Sequence, residues 1–196
     1  GNDEQKNFIY DQAKEYGIKC NIFEDSKRPT TLKKRYMADS KVLLKVSHLH
    51  QFSIDKSLQK NIYDSIKKNI RNFNVLIFSD FNYGCLPVSL VNKLQLLCQK
   101  HNVPVISDSQ SSSQHGDILK FKNSTTITPT ENEIRIALRD NESGFPKLCE
   151  NLRLNGNFKD IFLKLGEEGL LINSQIKNMI FTDRINALNS SPVDVS

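Results

Sequence analysis

Short apolar segments alternate with amphipathic helical segments from residue 55 onward, and this alternation restricts the chain to few folds. Continuous apolar runs at residues 75–79 and 103–107 are typical of strands that are covered on both faces. The other predicted elements are a helix capped by Asp55, a helix starting at Pro87, a strand at 125–128, helices at 131–138 and 146–154, and strands at 161–165, 169–173 and 179–182. The pattern predicts an α/β protein with three layers, in which a mostly parallel central sheet carries helices on both faces.

The N-terminal region shows a different pattern. A helix is expected over residues 3–16, with Asp3 as its N-cap, and a short strand over residues 18–23. Two extended segments at 31–38 and 41–47, separated by Asp39 and Ser40, predict a β-hairpin. We treat residues 1–196 as one partial domain in which the hairpin, residues 31–47, is either an addition to the central sheet or a small lid on the substrate side.

Composition excludes several classes of protein. A chain of 196 residues can bury a core without disulfides or metals, and no apolar run reaches the roughly 18–20 residues that cross a bilayer. The net charge of +5 comes from basic residues that are dispersed rather than clustered, so we expect no nucleic-acid partner and no membrane partner. The 4 cysteines form no CxxC pair, which favours free thiols in a reduced cytoplasmic protein over zinc or disulfides.

Acidic residues, glycines and hydroxyl groups follow the predicted strands at the point where each strand ends. Ligands of open α/β sheets bind at the carboxyl ends of the strands, so these residues are candidates for one site. A carboxylate beside a glycine turn suits a place where Mg²⁺ and backbone N–H groups neutralise phosphates. The segments that follow the four strands are 80–84 (with Asp80 and Asn82), 108–110 (with Asp108), 129–133 (with Thr130 and Glu133) and 166–169 (with Gly166 and Gly169).

Each of these positions also has a simpler interpretation. Strand ends are solvated and form turns, so polar residues occur there without any ligand. That interpretation is favoured for any one position, whereas the whole set favours a phosphate site. In the hairpin, Lys33 and Arg35 occupy alternate strand positions and would point the same way, so they form either a phosphate contact or an exposed basic face.

Several of these segments resemble motifs of the ribokinase-like (PfkB) family of carbohydrate kinases, and they occur in the family's order. Residues 162–171 are similar to its nucleotide-side strand, glycine turn and strand, and residues 128–133 to its Asn-x-x-Glu motif, with Thr130 at the Asn position. Residues 79–84 and 28–36 resemble the Ser-Asp-Tyr-x-Lys-Gly and Pro-Thr-Thr-x-Lys-x-Arg stretches of the heptose kinase branch. Residues 193–196 resemble the segment that runs into the family's Gly-Ala-Gly-Asp motif.

The resemblance implies an ATP-dependent kinase that phosphorylates a hydroxyl of a sugar or sugar phosphate, with ATP and Mg²⁺ as cofactors. It assigns Lys33, Arg35, Asp80 and Asn82 to the sugar. It assigns the following residues to nucleotide and phosphate, with Glu133 also organising Mg²⁺: Asp108, Thr130, Glu133, Lys164, Gly166, Gly169 and Asp194. The catalytic Asp would lie beyond Ser196, so we expect residues 1–196 alone to be inactive.

The sequence is also compatible with a homodimer and with a nucleotidyltransferase domain, either fused or as a partner chain. Two alternative functions are left open. One is a non-catalytic nucleotide-binding or assembly module, a pseudokinase. The other is a Rossmann-like transferase unrelated to kinases, which would need a phosphate-binding glycine loop after the strand at residues 18–23, where the sequence has none.

Overall fold

The computed structural model describes residues 1–39, 41–110 and 117–188. The chain divides into two compact units, one formed by Gly1–Ile62 and Tyr83–Cys85, the other by Tyr63–Asn82 and Leu86–Ser196. Among the described residues, no helix is both long and apolar enough to cross a membrane.

The first unit contains a helix and a hairpin. Helix α1 (Glu4–Glu15) begins at Asp3, whose carboxylate accepts a hydrogen bond from the backbone N–H of Lys6. Strands β1 (Leu32–Ala38) and β2 (Lys41–His48) pair antiparallel in a two-stranded sheet of their own, so the predicted hairpin is confirmed and lies outside the larger sheet. The predicted strand at residues 18–23 is wrong, because that segment pairs with no strand in the described part of the chain.

Arg28, whose side chain is 9% exposed, joins three segments of the first unit. Arg28 forms an ion pair with Asp25 at 2.9 Å, and its guanidinium lies over the ring of Phe52. The guanidinium also donates to two backbone carbonyl oxygens, that of Tyr83 at 2.9 Å and that of Phe52. The backbone N–H of Ile54 also donates to Gly84, at 3.0 Å. Although Arg28 opens the predicted basic stretch, its guanidinium therefore has a structural role.

The second unit is built on a six-stranded sheet in the order β3-β4-β5-β6-β7-β8. The pairings from β3 to β6 are parallel, and those of β7 with β6 and β8 are antiparallel. Helix α2 (Lys56–Asn69) precedes this sheet and begins at Asp55, which accepts from the N–H of Leu58 at 2.8 Å. The remaining elements are β3 (Leu76–Asp80), α3 (Val88–Lys100), β4 (Val105–Ser109), β5 (Thr126–Ile127), α4 (Glu131–Leu138), α5 (Phe145–Gly156), β6 (Asp160–Lys164), β7 (Leu170–Ile176) and β8 (Met179–Ile185).

One face of the sheet forms the core of this unit. Phe78, Ser107, Ile127 and Ile161 are register partners on successive strands, and each is at most 3% exposed. The three parallel connections step in the same direction, so right-handed crossovers place α3, α4 and α5 on the same face. The predicted α/β class, with a mostly parallel central sheet and a separate hairpin, is confirmed. The helical layer predicted on the second face of the sheet stays a prediction.

Strand β4 begins two residues later than the sequence predicts. The backbone N–H of Val103 donates to Cys98 at the end of α3, and Pro104 has no N–H to give. Val103 therefore belongs to the C-terminal end of α3. The pairing of β3 with β4 starts where the N–H of Leu76 donates to the carbonyl of Pro104. As a result, Asp108 and Ser109 lie within β4 rather than after it.

All four cysteines are free thiols, as predicted. Cys98 and Cys149 are buried, whereas Cys20 and Cys85 are exposed. Burial raises the pKa of the Cys149 thiol to about 11, so at neutral pH this group packs as a small apolar side chain.

Candidate active site

The carboxyl ends of the parallel strands carry two polar clusters that face opposite sides of the sheet. Asp80 is the register partner of Ser109, and Asp108 is the partner of Ser79. Paired residues on neighbouring strands share a face and consecutive residues alternate, so the carboxylates of Asp80 and Asp108 point to opposite faces.

The first group, which we name the Lys120 cluster, consists of Asp80, Asn82, Ser109 and Lys120. The ammonium group of Lys120 contacts the carboxylate of Asp80 and lies 2.6 Å from Oδ1 of Asn82. Asn82 has a left-handed backbone (φ 60°), and its Nδ2 donates to Oγ of Ser109 at 3.0 Å and to the carbonyl of Gln110 at 2.8 Å. The turn after β3 is thereby fixed to the end of β4.

Burial distinguishes this cluster from a solvated strand end. The side chain of Asp80 is 2% exposed and that of Lys120 is 13% exposed. The carboxylate of Asp80 also accepts a hydrogen bond from the N–H of Asn82, at 3.0 Å. Lys120 and the backbone of Asn82 therefore both bind this carboxylate. Asp80 therefore anchors the turn, and the sugar contact that the resemblance assigns to it stays a prediction.

Sequence reasoning did not identify Lys120. It lies in the 3₁₀ helix Ile118–Phe121, which begins at Asp117, and is 40 residues from Asp80 along the chain. An isolated lysine in a short helical turn matches no motif. Only the folding of this helix against the sheet brings its ammonium group to the ends of β3 and β4.

The second group, which we name the Lys164 cluster, consists of Asp108, Thr128 and Lys164. Oδ1 of Asp108 lies 2.7 Å from Nζ of Lys164 and 2.6 Å from Oγ1 of Thr128. Burial by itself would raise the pKa of Asp108, but the hydrogen bonds from Lys164 and Thr128 and the charge of Lys164 hold that pKa below its ordinary value. The side chains of Lys164 and Asp108 are 42% and 45% exposed, so a ligand from solvent can reach both charges.

Thr130 and Glu133 form a capping box at the start of α4. Oγ1 of Thr130 accepts from the N–H of Glu133 at 3.3 Å, and Oε2 of Glu133 accepts from the N–H of Thr130 at 2.7 Å. Glu133 is 4% exposed. Thr130 also bridges to Lys164 as a parallel neighbour, which places the box beside the Lys164 cluster.

Gly166 and Gly169 begin and end the short turn between β6 and β7. Both have positive φ, 59° and 92° respectively. Apart from its chain neighbours, no atom of the described residues lies within 4 Å of where a Cβ of Gly166 would be, so these residues leave the space beside it open. At Gly169 a Cβ would lie 2.1 Å from the carbonyl oxygen of Ile185, so this glycine permits close contact with the end of β8.

Lys33 and Arg35 lie on strand β1 of the first unit and are exposed. They occupy alternate positions, as predicted, and Arg35 stands directly opposite Lys45 of β2. Nζ of Lys33 lies 5.1 Å from the centre of the Tyr83 ring. Three cations therefore share one face of the hairpin.

The remaining site predictions have different outcomes. Asp194 lies outside the described residues. Within the described ranges, no group of three or more His, Cys, Asp or Glu side chains could hold a metal ion, so a metal role for Glu133 stays a prediction.

Two open grooves are lined by other residues than the described site residues. One, of about 550 Å³, includes Gln95, Val103 and Asn157, and the other, of about 650 Å³, includes Arg153, Asn173 and Thr182. Val103 precedes β4 and Asn157 precedes β6, so the first groove lies at the amino ends of the strands. Among the described residues, neither groove contains a predicted site residue.

Curated relatives share sequence with most of the chain. "Bifunctional protein HldE" of Geobacter sulfurreducens is 27% identical over 178 residues, which cover 87% of this chain and 35% of the relative. The protein of the same name from Helicobacter pylori strain J99 is 28% identical over 171 residues, or 85% of this chain and 36% of the relative. The chain thus spans well under half the length of these two relatives.

Solved structures show the same fold at low sequence identity. Ribokinase from Giardia lamblia superposes with a TM-score of 0.71 at 17% identity, over 97% of this chain and 58% of that one. A carbohydrate kinase from Agrobacterium tumefaciens gives a TM-score of 0.63 at 16% identity, over 87% of this chain and 52% of that one.

The family profile described as "pfkB family carbohydrate kinase" matches residues 1–190. That match includes the hairpin, both polar clusters and the glycine turn. The motif order, the ribokinase-like fold and the profile agree, and the chain belongs to the pfkB family of carbohydrate kinases.

Proposed function

We propose that the chain is part of an ATP-dependent sugar kinase that phosphorylates a hydroxyl of a heptose phosphate. Membership of the pfkB family and relatives named HldE support a sugar kinase. The heptose phosphate is favoured by the residues at 28–36 and 79–84 that resemble the heptose kinase branch. The observation that carries the proposal is the Lys164 cluster, a solvent-accessible ammonium group at the carboxyl ends of parallel strands.

On the nucleotide side, Lys164 and the glycine turn would bind the phosphates. The turn follows β6 directly, and Gly166 leaves open space in which a phosphate can approach the backbone. Asp108 neutralises part of the charge of Lys164 and fixes the position of its ammonium group. The bridge to Thr130 fixes the backbone of Lys164. The hydroxyl of Thr130 is proposed as a further phosphate contact.

Magnesium would be held by few protein groups in this arrangement. Mg²⁺ in kinase sites keeps several waters and binds one or two carboxylates together with substrate phosphates, so a cage of protein ligands is not needed. Glu133, beside the Lys164 cluster, is the proposed carboxylate and would act through water. When bound, the ion supplies charge neutralisation at the phosphates.

On the sugar side, Lys33 and Arg35 are proposed to bind the sugar phosphate, and Asn82 a sugar hydroxyl. Asp80 contributes by anchoring the turn that carries Asn82. Phosphoryl transfer in line would then depend mainly on positioning and on neutralisation of charge. Asp194, in the segment that resembles the start of the family's catalytic motif, is proposed for the phosphate side.

The names of the relatives also bear on a second domain. The word "bifunctional" in the relatives' name supports the proposal that a second catalytic domain, such as a nucleotidyltransferase, accompanies the kinase. A homodimer and a cytoplasmic location stay predictions.

The nucleotide side is tested by Lys164→Met. We expect this variant to weaken binding of Mg²⁺–ATP to the 196-residue chain by about tenfold or more, since a charge-assisted contact to phosphate contributes roughly 1.5–3 kcal/mol. Isothermal titration calorimetry measures the affinity directly. Lys159→Met, at the other end of β6, serves as the matched control and should bind as the unaltered chain does.

Two outcomes would count against this assignment. If the unaltered chain does not bind Mg²⁺–ATP, the nucleotide side is wrong as a whole. If Lys164→Met and Lys159→Met bind equally well, the phosphates are bound elsewhere.

The sugar side is tested on the hairpin. The double variant Lys33→Met/Arg35→Met should weaken binding of D-glycero-D-manno-heptose 7-phosphate by more than about tenfold, because two cations that share a phosphate are lost. The same heptose without its phosphate should bind weakly to both proteins. Equal affinity of the variant and the unaltered chain for the phosphorylated sugar would show that the basic hairpin face is only a solvated surface.

A further inference from the structure

We propose that Lys120 is a positioning residue for sugar binding, which orients the side-chain amide of Asn82 at the carboxyl ends of β3 and β4. The inference rests on the proposed function, since it takes Asn82 to be a sugar contact. It adds a residue that lies outside every motif found in the sequence.

The Asn82 amide is held from both sides. Its Nδ2 donates to Ser109 and Gln110, so both of its amide hydrogens point into the chain. Its Oδ1 accepts a hydrogen bond from the ammonium group of Lys120, at 2.6 Å. These three contacts fix the rotation of the amide and so the direction of its remaining acceptor lone pair.

That lone pair is suited to a hydroxyl donor. A side-chain amide oxygen accepts two hydrogen bonds, and Lys120 supplies one of them. Asn82 itself is only half-buried, unlike Asp80. A sugar hydroxyl could therefore donate to Oδ1 of Asn82 while Lys120 remains hydrogen-bonded to the same oxygen.

Lys120 contributes to stability as well as to geometry. Its charge compensates the buried carboxylate of Asp80, and removing one partner of such a pair leaves the other charge buried without a counter-ion. The pair also fixes a turn whose Asn82 has a left-handed backbone, at the edge of the sheet where ligands bind. Beside the pair, the Phe121 ring lies 5.1 Å from the ammonium nitrogen.

The experiment compares affinities for two ligands in four variants of the 196-residue chain. Titration calorimetry at low temperature would measure binding of D-glycero-D-manno-heptose 7-phosphate and, separately, of Mg²⁺–ATP. The variants are Lys120→Met, Lys120→Arg, Ser109→Ala and the control Lys122→Met. Lys122 is exposed and follows the same 3₁₀ helix, so its variant removes the same charge away from Asn82.

We expect Lys120→Met to weaken the heptose phosphate about tenfold to a hundredfold, since misplacing a positioned group by 1 Å has effects of this size. Lys120→Arg should restore most of that affinity, and Ser109→Ala, which releases the other side of the amide, should lose several-fold. Affinity for Mg²⁺–ATP should stay within about twofold in all four variants, because the Lys120 cluster and the Lys164 cluster face opposite sides of the sheet. A general loss of structure would instead lower the affinities for both ligands.

The outcomes separate this inference from the proposed function. If the unaltered chain does not bind the heptose phosphate, the proposed function fails, and the role of Lys120 fails with it. If the unaltered chain binds but Lys120→Met binds equally well, only the role of Lys120 is overturned. Where Lys120→Met proves unfolded, unchanged affinity in Ser109→Ala overturns the positioning of Asn82.

Discussion

Asp80→Asn should lower the free energy of unfolding of the chain by about 3 kcal/mol or more, because it leaves the Lys120 charge buried without a counter-ion. The ion pair between these residues is almost fully enclosed, with side-chain exposures of 2% and 13%. The substitution keeps the size and shape of the side chain, so packing contributes little to the effect. Urea denaturation followed by circular dichroism measures the change.

Asp108→Asn is the matched control, since it removes the same charge from the neighbouring strand. The ion pair of Asp108 with Lys164 is about half exposed, with exposures of 45% and 42%. Exposed pairs contribute about 1 kcal/mol or less, so this variant should remain close to the unaltered chain in stability. Equal losses in the two variants would mean that the Asp80 carboxylate is not enclosed as described here.

Gly169→Ala is expected to cost about 3 kcal/mol or more, the size of effect seen when backbone strain and a steric clash coincide. Its φ and ψ of 92° and −130° are open only to glycine, and a Cβ would lie 2.1 Å from the carbonyl oxygen of Ile185 and 2.6 Å from the nitrogen of Ala187. The clash involves backbone on both sides, so it can be relieved only by moving the end of β8 away from β7.

Gly166→Ala provides the comparison within the same turn. Its φ of 59° carries the ordinary left-handed cost, about 1 kcal/mol, but among the described residues only its chain neighbours lie within 4 Å of the added methyl group. Equilibrium unfolding in urea should therefore rank the two variants clearly. A loss at Gly166 as large as that at Gly169 would argue against the open turn.

Local chemistry explains which elements could be predicted from sequence. Helix α4 is found at the predicted residues 131–138, and the structure adds that Thr130 and Glu133 cap its start through a local capping box. Asp3, Asp55 and Pro87 mark helix starts for similar reasons. Each of these features involves residues a few positions apart, so no knowledge of the rest of the fold is needed.

The strand at residues 18–23 and the start of β4 were wrong for the opposite reason. A strand exists only if another strand accepts its hydrogen bonds, and residues 18–23 have no such partner in the described part of the chain. Val103 fits a strand by composition, but its N–H completes the end of α3 instead. Competition between two partners for one backbone group is decided by the packed structure.

The sequence by itself determined the fold class, the family and the residue types at the ends of the strands. The tertiary structure alone decided how those residues are grouped. A side chain's face alternates with every residue, so pairing Asp80 with Ser109 rather than with Asp108 sends the two carboxylates to opposite sides of the sheet. It also supplies Lys120 from 40 residues away, because a buried carboxylate requires a counter-ion that no local pattern specifies.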